Sequence, residues 1–140
     1  MNVDFYSDVK SKTINSNLFS THAEDWAKKV CESGLNHKKD KLERNKISQI
    51  RKFYDEVLRF SDFVKAGEDY KSILPYIKML NAKAAYAEGR KLVTEDFKMF
   101  IKQSLEYLTD QEPKTFDIFA NFFEAFMGYY KFYESKYKSQ

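Results

Sequence analysis

The stretch Thr115–Tyr137, TFDIFANFFEAFMGYYKFYESKY, decides the fold class. Phe116, Phe119, Phe122/Phe123, Phe126, Tyr129/Tyr130, Tyr133 and Tyr137 recur every three or four residues, which places them along one face of an α-helix. Thr115 can cap its start, and Asp110–Lys114, with Pro113, reads as the loop before it. A continuous aromatic face must be buried, against other helices of the chain or against a second subunit. Core or interface is favoured over a base-stacking platform, because platforms sit in basic grooves and these rings have no cations on their face. Adjacent pairs such as Phe122/Phe123 also make the stripe wider than a single seam.

Upstream, the same periodicity repeats. Thr21-His22-Ala23-Glu24 has capping-box form and opens a short helix through Trp26 and Val30 that Gly34 can close. From Asn45 to Ala66, Ile47, Ile50, Tyr54, Val57, Leu58 and Val64 mark an amphipathic helix, with Gly67 as its stop. A third helix is expected over Tyr70–Arg90, with Ile73, Ile77, Leu80, Ala84 and Ala87 inward and Pro75 tolerated near its first turn. Thr94 can cap a fourth, with Phe97, Phe100, Ile101, Leu105 and Leu108 inward. No segment alternates like a strand, and residues 1–19 read as an irregular arm. The expectation is an all-α fold, a compact bundle of about five helices forming one domain over residues 1–140.

Composition narrows the function classes. The 140 residues are 43% hydrophobic with only 4 Gly and 2 Pro, which excludes a disordered polyelectrolyte. The single cysteine, Cys31, excludes an internal disulfide framework or a cysteine-based zinc cage. The absence of a long apolar run and of a basic leader points to a cytoplasmic protein without membrane contact. The net charge of +3 hides its own distribution. Residues 38–52 hold 7 basic and 2 acidic side chains, and residues 71–91 hold 5 and 1, so two segments are strongly basic over an acidic remainder. Such local concentrations attract polyanions, although a solvated helix face has the same charge pattern.

Catalytic chemistry finds no foothold. There is no phosphate-binding glycine loop and no His-Glu-x-x-His. His22 and His37 lack a third ligand or an evident partner and read as surface histidines. Cys31 lies near Lys28 and Lys29, which could lower its pKa, yet a buried thiol is the simpler reading. Asp55/Glu56 and Glu95/Asp96 are sequence neighbours and diverge on a helix. No catalytic residue, metal ligand or cofactor is assigned, and the chain reads as a non-enzyme.

Two constellations remain. On the third helix, Met79, Lys83, Tyr86 and Arg90 share one edge of the apolar face, leading to Gly89-Arg90-Lys91. Arg90 can hold phosphate bidentately, Lys83 and Lys91 add point charges, and Gly89 leaves room for a close backbone approach. On the second helix, Ser48, Lys52 and Arg59 share the polar face with Arg51 at its edge, downstream of Lys38, Lys39, Lys41, Arg44 and Lys46. From the residues alone, nucleic-acid binding and ordinary solvated cations both stay open.

Three segments, in order, resemble the small subunit of type III-A CRISPR effector (Csm) complexes. Ser48-Gln49-Ile50-Arg51-Lys52 is similar to that family's hydroxyl–basic–aliphatic–Arg helix opening. Leu80-Asn81-Ala82-Lys83-Ala84-Ala85-Tyr86-Ala87-Glu88-Gly89-Arg90 resembles its L-x-x-K-x-x-Y-x-x-G-R signature. Phe123-Glu124-Ala125-Phe126-Met127-Gly128-Tyr129-Tyr130-Lys131-Phe132-Tyr133 resembles its aromatic C-terminal motif. The resemblance covers residues 45–134. Gln49 stands where a basic residue is usual, and Lys91 where an acidic one is common.

The resemblance implies a non-catalytic helical subunit, stacked in several copies inside a ribonucleoprotein filament for antiviral defence. Its partners would be CRISPR RNA, target RNA, other subunits of the complex and further copies of itself, including a homodimer in isolation. Ser48, Arg51, Lys52, Lys83, Arg90 and Lys91 would contact the RNA backbone, and Phe119, Phe123, Phe126, Tyr130 and Tyr133 would pack against neighbouring subunits. Base pairing would carry sequence specificity. A scaffold binding acidic protein partners without RNA is the alternative, with a helix-turn-helix regulator ranked below it.

Overall fold

The computed structural model describes residues 1–109 and 112–137. In chain order, β1 (Tyr6–Asp8) and β2 (Thr13–Ile14) form a small antiparallel ribbon, and a π-helical turn (Leu18–His22) runs into α1 (Ala23–Ser33). Then follow α2 (Ile47–Lys65), α3 (Tyr70–Lys78), α4 (Leu80–Gly89), α5 (Glu95–Leu105) and α6 (Pro113–Glu134). The fold is all-α in kind, since the only sheet among the described residues is the two-stranded ribbon.

The aromatic helix α6 lies between α1 and α2, with the N-terminal segment also against it. It is enclosed from several sides, so both members of the Phe122/Phe123 pair are fully buried. Phe126 stacks on Phe100 of α5 at 4.3 Å between centroids and on Tyr130 at 5.4 Å. Each such ring removes roughly 150–250 Å² from water and adds offset or edge contacts worth about 0.5–1.5 kcal/mol beyond that burial. Phe119, Phe123, Phe126 and Tyr130, expected at a contact with neighbouring subunits, lie inside this core. Their exposure is 0%, and the chain's own core uses them. Tyr133, half-buried, donates its hydroxyl to Glu24 Oε2 at 2.7 Å.

Pro113 takes the first position of α6, where a missing N–H costs nothing. The expected loop is correspondingly shorter: Pro113 and Lys114 are helical, and Asp110 and Gln111 lie outside the described residues. Glu112, not Thr115, is the cap position, and the buried Thr115 hydroxyl instead meets Tyr6 Oη at 3.2 Å. Likewise Thr21 sits inside the π-helical turn rather than capping α1.

The expected third helix is two. Pro75 falls in the second turn of α3, where it cannot donate to the carbonyl four residues back. The chain breaks at Met79, whose N–H turns to the Pro75 and Tyr76 carbonyls at 3.2 Å each. Ile73, Ile77, Leu80, Ala84 and Ala87 all still face the core. On α2, Phe53 and Phe60 are buried while Leu58 stays exposed, a shift of the buried face toward α5 and α6.

Residues 1–19 are not an irregular arm. Val3, Phe5 and Leu18 are buried, and Phe5 stacks on Tyr107 at 4.3 Å and meets Phe122 edge-on at 5.7 Å. Burial of these side chains offsets the entropy of ordering the segment. Period-two reading missed it, because the strands are three and two residues long.

Candidate nucleic-acid interface

α4 packs mainly on α5 while α2 packs on α6, which leaves a groove of about 580 Å³ between α2 and α4. Small residues on α4 permit this: Ala84 and Ala87 bring its inner face close to the core, and Glu88 pairs with Lys98 of α5 at 3.0 Å. The floor is apolar, formed by Phe53, Leu80, Ala87 and Leu92. The rim carries Lys52 and Arg59 from α2 and Lys83 and Arg90 from the α4 side, with Gln49, Asp55, Glu56 and Tyr86. Two helices that the sequence singles out separately thus present their cations to one concavity.

Lys83 and Tyr86 are surface residues of α4, and Arg90 is its C-cap. The Arg90 guanidinium lies over the Tyr86 ring at 5.7 Å and donates from Nη1 to Tyr86 Oη at 3.2 Å. Tyr86 is 65% exposed, so the pair forms a cationic, aromatic ledge at the mouth of the groove. Across from it, Glu56 accepts from Arg59 Nη2 at 2.6 Å and from Lys83 Nζ at 3.3 Å. The Arg59 hydrogen bond leads in holding the Glu56 carboxyl below the usual carboxylate range, with Lys83 adding to it against partial burial.

Of the six expected RNA-contacting residues, Lys52, Lys83 and Arg90 line this groove, and Ser48, Arg51 and Lys91 do not. Those three are exposed outside it, Lys91 in a left-handed conformation at φ 62° just past α4 and Arg51 near Tyr54. Gly89 has helical backbone, and a Cβ there would meet nothing within 4 Å. The fold itself gives no reason for a glycine at that position. Lys78, counted within the second basic segment, instead donates to the Leu105 carbonyl at the end of α5 at 2.6 Å, and burial lowers its pKa.

The groove's geometry depends on a residue the sequence reading passed over. Asn45 is fully buried at φ 60°. Its Nδ2 donates to Val30 O at 2.9 Å and Thr94 Oγ1 at 2.7 Å, and its Oδ1 accepts from Thr94 N at 2.8 Å. Its backbone N–H donates to Leu92 O at 3.0 Å, and its carbonyl accepts from Tyr130 Oη. One residue, through its side chain and its backbone, thereby joins α1, the start of α2, the segment after α4 and the core of α6. The sequence signal is an asparagine just before a helix, a residue type that tolerates the left-handed φ found here.

The remaining titratable groups serve the interior. Burial, with Glu134 and Glu32 nearby, pushes the Cys31 thiol up to about 12, the opposite of activation by Lys28 and Lys29. His22 is half-buried rather than a surface histidine: its Nε2 accepts from Asp4 N at 3.1 Å, its ring stacks on Phe122 at 5.7 Å, and burial lowers its pKa. Among the described residues, no group of three His, Cys, Asp or Glu side chains is placed to hold a metal ion. No helix among them is long and apolar enough to cross a membrane.

On the opposite side, Phe19, Glu24, Ala125, Gly128, Tyr129 and Phe132 line a second concavity of about 520 Å³. Phe19 is 41% and Phe132 55% exposed. This outer face of α6, one helical step from the expected set, is where aromatic rings remain accessible.

A family model described as Csm2 Type III-A matches residues 14–136. Comparison with curated proteins and with solved structures gives no match.

Proposed function

The chain belongs to the Csm2 type III-A family, the small subunits of a CRISPR effector complex, and from that premise we propose that it grips the backbone of paired guide and target RNA in the α2–α4 groove. The observation that carries this reading is the convergence of Lys52, Lys83 and Arg90 on one concavity from two helices. Lys52 and Lys83 supply point charges, and Arg90, steadied by Tyr86, supplies a fork for phosphate oxygens. Ser48, Arg51 and Lys91, exposed outside the groove, extend the contact along the strand. The role is non-catalytic: the cations bind and align RNA, base pairing carries the sequence, and cleavage belongs to other subunits. The setting is a cytoplasmic ribonucleoprotein. Packing against neighbouring subunits falls to Phe19, Tyr129 and Phe132, which remain accessible, rather than to the buried rings behind them.

Photo-crosslinking of the assembled complex tests the reading. Tyr86 is an exposed aromatic beside Arg90, so RNA adducts are expected on the peptide that contains it. Adducts confined to α6, with none on α2 or α4, would overturn it.

A further inference from the structure

Glu56 occupies the groove as an anion already seated between two of its cations. It bridges Arg59 on its own helix and Lys83 on α4, at 2.6 and 3.3 Å. Arg59 is further held over the rings of Phe60 and Phe63, at 4.8 and 5.4 Å. Among the described residues, Lys52 and Arg90, at the same rim, form no ion pair of their own, and Arg90 spends a donor on a tyrosine hydroxyl instead. Asp55 lines the groove too, exposed and in no ion pair among the described residues. The rim thus has two kinds of cation, two open and two occupied.

Building on the reading of this groove as a backbone seat, we propose that Glu56 is an internal stand-in for phosphate that restricts the groove to contiguous polyanions. A single phosphate must displace a carboxylate that is tethered beside Arg59 and Lys83 at high effective concentration. A nucleic-acid strand meets that competition on better terms. Its first phosphates settle on Lys52 and Arg90, and the next is then tethered as closely as Glu56 is, so exposed ion pairs of this strength give way. Glu56 also keeps one isolated subunit from holding RNA tightly, which leaves stable binding to a row of copies acting together.

The test compares full-length wild type with Glu56→Gln, Asp55→Asn and Lys83→Glu in anisotropy titrations of a labelled RNA duplex at about 50 mM salt. Glu56→Gln is expected to bind about three- to tenfold tighter, as removal of one competing surface anion allows. Its log–log salt slope should match that of wild type within about 0.7, because the strand engages Arg59 and Lys83 in both. Asp55→Asn removes the same charge without emptying a cation's seat and should change affinity less than about twofold. In NMR titrations with inorganic phosphate at matched ionic strength, the Lys83 and Arg59 signals should shift in Glu56→Gln and stay put in wild type. Binding that needs Lys83 but is unchanged or weakened in Glu56→Gln would overturn the role of Glu56 alone, as would equal tightening by Asp55→Asn or phosphate shifts of equal size in wild type. RNA binding indifferent to Lys83→Glu in both backgrounds would overturn the groove reading itself, and the role of Glu56 with it.

Discussion

Replacing Asn45 by alanine should destabilise the protein more than any surface change at the groove. Alanine removes donations to Val30 O and Thr94 Oγ1 and strands the Thr94 N–H, all in a fully buried site. An unsatisfied buried group costs about 1–3 kcal/mol. Holding a non-glycine, non-asparagine residue at the left-handed φ of 60° adds roughly 1–2 kcal/mol. The total of about 2–5 kcal/mol is a large part of the ~5–15 kcal/mol available to a small domain. Trp26 is the only tryptophan and is buried, so its fluorescence reports urea unfolding without an added label. With a urea m-value of ~2 kcal/mol/M, the midpoint should fall by roughly 1–2.5 M. Asn45→Gly keeps the backbone unstrained while losing the same hydrogen bonds, so it should recover about 1–2 kcal/mol relative to alanine. A midpoint shift for Asn45→Ala below about 0.5 M would refute the hub. Equal stability of the alanine and glycine variants would refute the contribution of backbone strain.

Other predictions concern the N-terminal lock and the two informative glycines. Because burial lowers the folded-state pKa of His22, the unfolded chain takes up its proton first; stability should fall as pH drops below 6.5 and level off under the folded pKa. Denaturation midpoints across that range should lose this component in His22→Gln, and an unchanged profile would contradict it. Gly34→Ala places a Cβ 2.3 Å from the Arg44 carbonyl oxygen, so a melt should show a loss of about 1–3 kcal/mol. Gly89→Ala meets open space on helical backbone and should raise stability by up to about 0.5–1 kcal/mol. The same variant should weaken RNA binding by the assembled complex if a phosphate passes close to that turn.

What was legible in the sequence was whatever repeats at helical spacing. The faces of α5 and α6 and the inner residues of the α3–α4 pair are buried as their periodicity implies. Periodicity cannot say what covers a face, however. The rings of α6 are spaced alike whether they meet a second subunit or α1, α2 and Phe5, and only the packed chain decides for its own core. Pro75, expected to be tolerated near the first turn of one helix from Tyr70 to Arg90, lies in the second turn of α3, and the helix is interrupted at Met79. At the site, charge patterning found Lys52, Lys83 and Arg90, which project from their helices toward solvent. It could not show that Glu56 spans two helices, nor that Asn45 fixes where α2 starts, because both depend on contacts distant along the chain.

The central claim is that the cations of the α2–α4 groove hold RNA. The most direct test is RNA affinity as a function of salt for effector complexes assembled with wild-type or Lys83→Glu/Arg90→Glu subunits. Two lost phosphate contacts per copy should weaken binding and flatten the log–log slope by about 1.4–1.8 for each copy engaged, with the complex still assembled. An intact double-variant complex that binds RNA with unchanged affinity and unchanged slope would contradict the account.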